Sequence, residues 1–310
     1  MAYYIGIDIG GTKIAGAVVN DAGQISNREE VPTPVKEGGP RILQDAIGLA
    51  QSIASASGKE IQAIGIGAGG QIDTIQGLIY SATDVLPGWK GLRITEAFTK
   101  ALQLPAKVDN DVNVLALGES RFGAARAFAT GTVVFLALGT GVGGALLCKG
   151  EVHHGAHWSG GEFGHILLTM EPDARCDTGG ARGTLEAYCS GPGLVQTWRE
   201  LNGNSDAEMT GFDVVNDAKS KPGGAGHAAI VRTGEYLGYG LVSLANALDP
   251  DLIVIGGGLA QLGDSLLDPA RRILKEHGLP GPSTTLVVTA DLGADAAIIG
   301  AASLVIPVGA

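Results

Sequence analysis

This 310-residue sequence is short of cysteine and of positive charge, and it lacks any long apolar run. Its three cysteines, Cys148, Cys176 and Cys189, are an odd number that does not suggest a disulfide framework and that suits a cytoplasmic protein. Twenty-one Lys and Arg stand against 32 Asp and Glu, a formal net charge of -11. That balance disfavours nucleic acid as a partner, because a phosphate backbone is met by a basic face. No apolar stretch reaches the ~18 residues of a spanning helix. The first residues enter a strand pattern at once, where a leader would be basic, then apolar, then small. No membrane association is expected. The P-loop pattern G-x-x-x-x-G-K-[ST] is missing too, which removes that class of ATPase.

Glycine, at 50 residues, is what the chain has in abundance, and apolar residues make up 45%. The opening "IGIDIGGTKIAGAVV" reads as strand, tight turn, strand, with Gly10, Gly11, Thr12 and Lys13 at its centre. "PRILQDAIGLAQSIASAS" carries apolar residues at helical spacing. "IQAIGIGAGG" reads as a buried strand, "RITEAFTKALQL" as a second helix, and "AKVDNDVNVLALGESRFGAA" as a strand end feeding a helix. "GTVVFLALGTGVGGALLCKGEV" then repeats the opening plan, with Gly139-Thr140 matching Gly11-Thr12. A long helix is expected from about Ala228 to Leu248, followed by the strand "DLIVIGGG", a helix, and a closing strand and apolar helix in "TTLVVTADLGADAAIIGAASLVI". Alternation of this kind indicates α/β architecture. The two similar openings suggest a duplicated plan, two coupled α/β halves with a cleft.

G-x-G-x-x-G occurs at Gly65-Gly67-Gly70 and at Gly139-Gly141-Gly144. Both run on into extended sequence, whereas a dinucleotide site needs strand, turn, then helix. A dehydrogenase is therefore disfavoured. Gly and Thr suit ordinary hairpin turns. A hairpin bare of side chains also exposes N–H groups that cradle phosphate oxygens. Thr12 and Lys13 add donors, Gly257 and Gly258 in "VIGGG" extend the glycine-rich set, and Asp8 is placed to hold a hydrated Mg²⁺.

"DIGGTK", "NDVN", "LGTGVGG", "GGEFGH" and "VIGGG" together resemble the ROK family of sugar kinases and repressors, over nearly the whole chain. The resemblance implies an actin-like, ribonuclease-H-like pair of α/β domains. The first would span 1–118, completed by a C-terminal helix in 291–310, and the larger would span 119–290. It implies ATP and Mg²⁺, with Gly10, Gly11, Thr12, Lys13, Gly139, Thr140, Gly141, Gly257 and Gly258 around the nucleotide. By itself "VDNDVN" reads as a helix cap. By the resemblance Asp111 is the catalytic base and Asn110 holds a neighbouring hydroxyl. An Asp of ordinary pKa suffices for that role, because phosphoryl transfer depends mainly on positioning and charge neutralisation. Asp109 is left as a cap or a surface charge. Glu162, His165 and Glu186 resemble the family's further sugar contacts. For Glu186 the plain alternative is a solvent-facing residue in a first helical turn. Gly69 and Gly70 match a glycine turn over the sugar. Trp89, in "LPGW" from Leu86, reads either as a cover for a sugar face or as an ordinary packed side chain.

The family follows its "GE-x-GH" with a cysteine cluster that holds structural zinc together with the His. Here Cys176 fits the first position, but Thr178 and Thr184 stand for the others and the spacing is one residue longer. No structural zinc is expected. A substitute site from His153, His154, His157 and His165 is disfavoured, because close neighbours in a loop rarely converge on one ion. Arg175, Asp177 and Arg182 are expected to hold the loop instead. Repressors of the family carry a DNA-binding domain ahead of the sugar domain, for which no room is expected before Asp8. The expectation is a kinase acting on a small neutral aldohexose at its 6-hydroxyl, glucose first. N-acetylglucosamine or N-acetylmannosamine kinase, or a non-catalytic sugar sensor, is the alternative. Homodimers are usual in the family.

Overall fold

The computed structural model describes residues 1–82, 87–203 and 208–307. They fall into two compact units. The first comprises Met1–Ala129, Gly150–Gly160 and the C-terminal segment from Asp291; the second comprises Thr130–Lys149 and Gly161–Ala290. The boundary expected after residue 118 would cut a helix, Asp111–Phe122. Leu86 and residues 308–310, on which parts of the sequence reading fell, lie outside the described residues.

In the first unit β1 (Tyr3–Ile9), β2 (Lys13–Asn20) and β3 (Ile25–Pro32) form an antiparallel meander. Helix α1 (Gly39–Ser57) buries Ile42, Ala46, Leu49, Ala50 and Ile53, the three- and four-residue spacing of one helical face. Next come β4 (Ile61–Ala68), the small hairpin β5 (Gln71–Asp73) and β6 (Leu78–Ser81), α2 (Ile94–Leu102), β7 (Ala106–Asn110) and α3 (Asp111–Phe122). The sheet order is β3-β2-β1-β4-β7, with β4 parallel to both β1 and β7. Ile5, Ile7, Ile64 and Ile66 are fully buried, as strands covered on both faces require.

The second unit opens the same way. β8 (Thr132–Leu138) and β9 (Val142–Cys148) make an antiparallel hairpin across Gly139–Gly141. β10 (Glu151–Val152) lies in the short segment that belongs to the first unit. Helices α4 (Leu185–Cys189), α5 (Gly191–Leu201), α6 (Gly211–Ser220) and α7 (Ala225–Leu248) follow, then β11 (Leu252–Gly256), α8 (Asp264–His277) and β12 (Leu286–Thr289). β11 runs parallel to β8 on one side and to β12 on the other. In both units, then, an antiparallel hairpin is followed by parallel strands, the ribonuclease-H-like plan. The two G-x-G-x-x-G runs lead into β5 and β9, not into helices.

Helix α9 (Ala296–Ser303) returns to the first unit and packs on β1, β4 and α3. Two glycines make that possible. A Cβ at Gly6 would collide with the Ile298 carbonyl, and one at Gly65 with the Ala301 carbonyl. Buried Glu119 at the end of α3 fixes the entry to the helix, its carboxylate accepting from the N–H groups of Ala124, Asp291 and Leu292 at 2.8–3.1 Å.

Candidate active site

The first unit contributes two acids from the ends of β1 and β7, the two strands that flank β4. Asp8 is the penultimate residue of β1, and Asp111 is the first of α3, directly after β7. Burial, then the Asp111 charge, push the Asp8 carboxyl up to about 6, against the opposing pull of Lys13. Burial also raises Asp111, although its own helix N–H groups and Asn110 pull the other way. A carboxylate whose proton affinity is raised by burial and by a second carboxylate nearby makes a setting that favours a bound cation.

Asn110, not Asp109, caps α3. Its Oδ1 accepts from the N–H groups of Val112 at 2.8 Å and Asn113 at 3.2 Å, and its Nδ2 donates to the Gly70 carbonyl at 3.0 Å. Asp109 is neither cap nor surface charge: it is 2% exposed. Its Oδ1 accepts from the Asn113 side chain at 2.9 Å, and its Oδ2 lies 2.7 Å from His154 Nε2. The pair raises the pKa of His154, so one of the crowded histidines serves as a buried carboxylate's partner. The sequence held no signal for this, because the two residues are 45 positions apart.

The glycine turn Gly69-Gly70 is fixed from both sides. Gly70 has φ +105° and its carbonyl meets Asn110, while the Trp89 indole donates to the Gly69 carbonyl at 3.0 Å. Trp89 is fully buried, the ordinary packed side chain of the two readings. In the first hairpin, the Gly10 N–H donates to the Lys13 carbonyl at 3.1 Å, and the Thr33 hydroxyl donates to the Gly10 carbonyl at 2.7 Å. Thr12 is exposed, and Lys13 pairs with Glu30 on β3 at 3.2 Å. A Cβ on Gly11 would touch nothing, so the backbone there faces open space.

In the second unit, a 3₁₀ turn over Phe163–His165 places Glu162 and His165 together at the surface, the His165 N–H donating to the Glu162 carbonyl. Glu186 does not face solvent. It is 8% exposed, with Oε2 accepting from the Val142 N–H at 2.9 Å and Oε1 from the Thr178 hydroxyl at 2.5 Å. It also abuts Gly141, where a Cβ would collide with Oε2. Its carboxylate thus braces the second glycine turn.

That turn borders a cavity of about 1060 Å³ lying wholly in this unit. Gly139, Thr140 and Gly258 line it, and Gly257 immediately precedes Gly258 at φ +83°. A Cβ at Gly139 or Gly258 would meet nothing, so two strand-end turns offer bare backbone to one cavity. The far wall comes from α5 and α6, including Arg199, Met209, Phe212 and Lys219. Sequence reading missed this wall, since no motif marks it; an exposed Phe212 in the first turn of α6 carries no pattern of its own.

Paired ribonuclease-H-like units, glycine turns bordering a nucleotide-sized cavity, and a half-buried acid at a strand-to-helix junction define an actin-like sugar-kinase fold. The chain belongs to the ROK family, whose sequence model matches residues 4–307. It is 34% identical to a glucokinase of Halalkalibacterium halodurans, over 98% of this chain and 94% of that protein. It is 30% identical to an N-acetyl-D-glucosamine kinase of Yersinia pseudotuberculosis, over 97% and 98%. Among solved structures, a ROK family glucokinase from Streptomyces griseus in complex with glucose and AMPPNP superposes with a TM-score of 0.80 at 31% identity, covering 98% of this chain and 99% of that one.

Proposed function

We propose that this chain is an ATP-dependent hexose kinase that phosphorylates glucose at the 6-hydroxyl in the cytoplasm. The observation that carries the reading is the half-buried Asp111, raised in pKa by desolvation and set at the N-terminus of α3 beside Asp8. Asp111 would accept the 6-hydroxyl proton as O6 attacks the γ-phosphorus. The bond from that phosphorus to the β,γ-bridging oxygen then breaks, giving hexose 6-phosphate and ADP. The proton on Asp111 returns to solvent. Such a transfer depends on positioning and charge neutralisation more than on base strength.

Asp8 is the residue that would hold a Mg²⁺ carried in with ATP, directly or through water. The ion would supply charge neutralisation at the phosphates. Gly139, Thr140, Gly141, Gly257 and Gly258 would take the nucleotide from the second unit, and Gly10 to Lys13 would meet its phosphates from the first. Gly70, Asn110, Glu162, His165 and Glu186 would read the sugar hydroxyls. The 34% identity to a glucokinase over nearly the full chain favours glucose. The test is ATP consumption with Mg²⁺ against glucose, mannose, N-acetylglucosamine and N-acetylmannosamine. Highest kcat/KM on glucose is expected; preference for an N-acetylated sugar overturns the substrate, and a sugar that binds without turnover overturns the enzyme.

A further inference from the structure

We propose that Asp177 is the positioning residue of His165, doing with a carboxylate what the family's loop does with zinc. The proposal rests on the sugar-binding reading of His165. Asp177 sits at the centre of the 171–184 loop with its side chain fully buried. Its Oδ1 accepts from the N–H groups of Gly179 at 3.0 Å and Ala181 at 2.9 Å. Its Oδ2 accepts from the Thr184 hydroxyl at 2.9 Å and lies 3.5 Å from His165 Nδ1.

The donor set does not suit zinc, which takes about four N or S ligands. Thr184 spends its hydroxyl hydrogen on Asp177, and Thr178 spends its own on Glu186. Cys176 is exposed, and Arg175 and Arg182 tie the loop to Glu200 and to the Ala174 carbonyl. Among the described residues no group of three or more His, Cys, Asp or Glu could hold a metal ion. The hydrogen bonds converge on the Asp177 carboxylate instead.

An ionised carboxylate only accepts. The His165 nitrogen that faces it therefore carries the hydrogen, and Nε2 is left as an acceptor for a sugar hydroxyl. Asp177→Asn keeps an oxygen for Gly179 and Ala181 but turns an amide donor toward His165. Nitrogen-15 NMR of the full chain reads the ring directly. The Nδ1–H tautomer is expected in the wild type and the Nε2–H tautomer in Asp177→Asn. The hexose KM should rise on the order of tenfold, as when an outer partner that orients a ligand-binding His is lost, with the KM for ATP unchanged. Cys176→Ser should leave thermal stability and turnover as they were, and metal analysis should find no stoichiometric zinc.

An Nε2–H tautomer in the wild type, or one zinc per chain lost in Cys176→Ser, overturns the proposal. The wild-type spectrum decides even if Asp177→Asn does not fold. Tautomer and metal content are read without turnover, so a chain that phosphorylates no hexose overturns the kinase reading and leaves these readouts to judge Asp177.

Discussion

Asp8 is ionised at neutral pH at a cost. Its folded pKa of about 6 lies above the ~3.9 of an exposed Asp. The folded state therefore holds the proton more tightly than the unfolded one. The stability this confers is present below pH ~4 and is lost as pH rises through about 6. Asp8→Asn removes this desolvated charge. It should raise stability at pH 7.5 by about 3 kcal/mol at most, two pK units at 1.36 each, and the gain should vanish below pH ~4. Its activity should fall at the same time, because the residue that would hold the cation is gone. Thermal melts at the two pH values, with turnover at the higher, check both halves; a variant less stable than wild type at pH 7.5 contradicts the burial account. In the wild type, kcat/KM should fall as pH drops through 6, where Asp8 takes up its proton.

At the scale of elements, the sequence announced what is local. The hairpin turns, the helical face of α1 and the strand feeding α3 follow from turn residues and periodicity within single segments. What pairs distant residues was not legible. Asp109 reads as a cap or a surface charge until His154 is folded onto it, and nothing local to Glu186 shows that Val142 and Thr178 enclose its carboxylate. The apolar character of α9 was visible, but its docking depends on Gly6 and Gly65, which are indistinguishable in sequence from the other glycines. Gly65→Ala should cost about 3 kcal/mol, the upper range of overpacking, since its Cβ would press on a helix carbonyl that cannot turn aside. Chemical denaturation measures it; a loss within ~0.5 kcal/mol, as at an ordinary surface site, would mean that α9 shifts freely.

For the whole molecule, the duplicated plan divides the labour. The cavity proposed for the nucleotide lies wholly in the second unit, while Asp111 and Asp8, proposed as base and cation holder, belong to the first. Hydrogen exchange should follow that division. AMPPNP alone should protect amides around 139–141, 209–219 and 257–262, and glucose should protect those around 69–73, 109–113 and 162–165. Nucleotide protection confined to other segments would misplace the cavity's occupant. The most direct test of the account is transfer of labelled γ-phosphate from ATP to glucose by wild type and by Asp111→Asn, with glucose binding measured on both. The account predicts that the variant binds glucose with little change and transfers phosphate about 10² to 10⁴ times more slowly, the contribution of a general base. A variant that transfers at the wild-type rate would contradict Asp111 as the base.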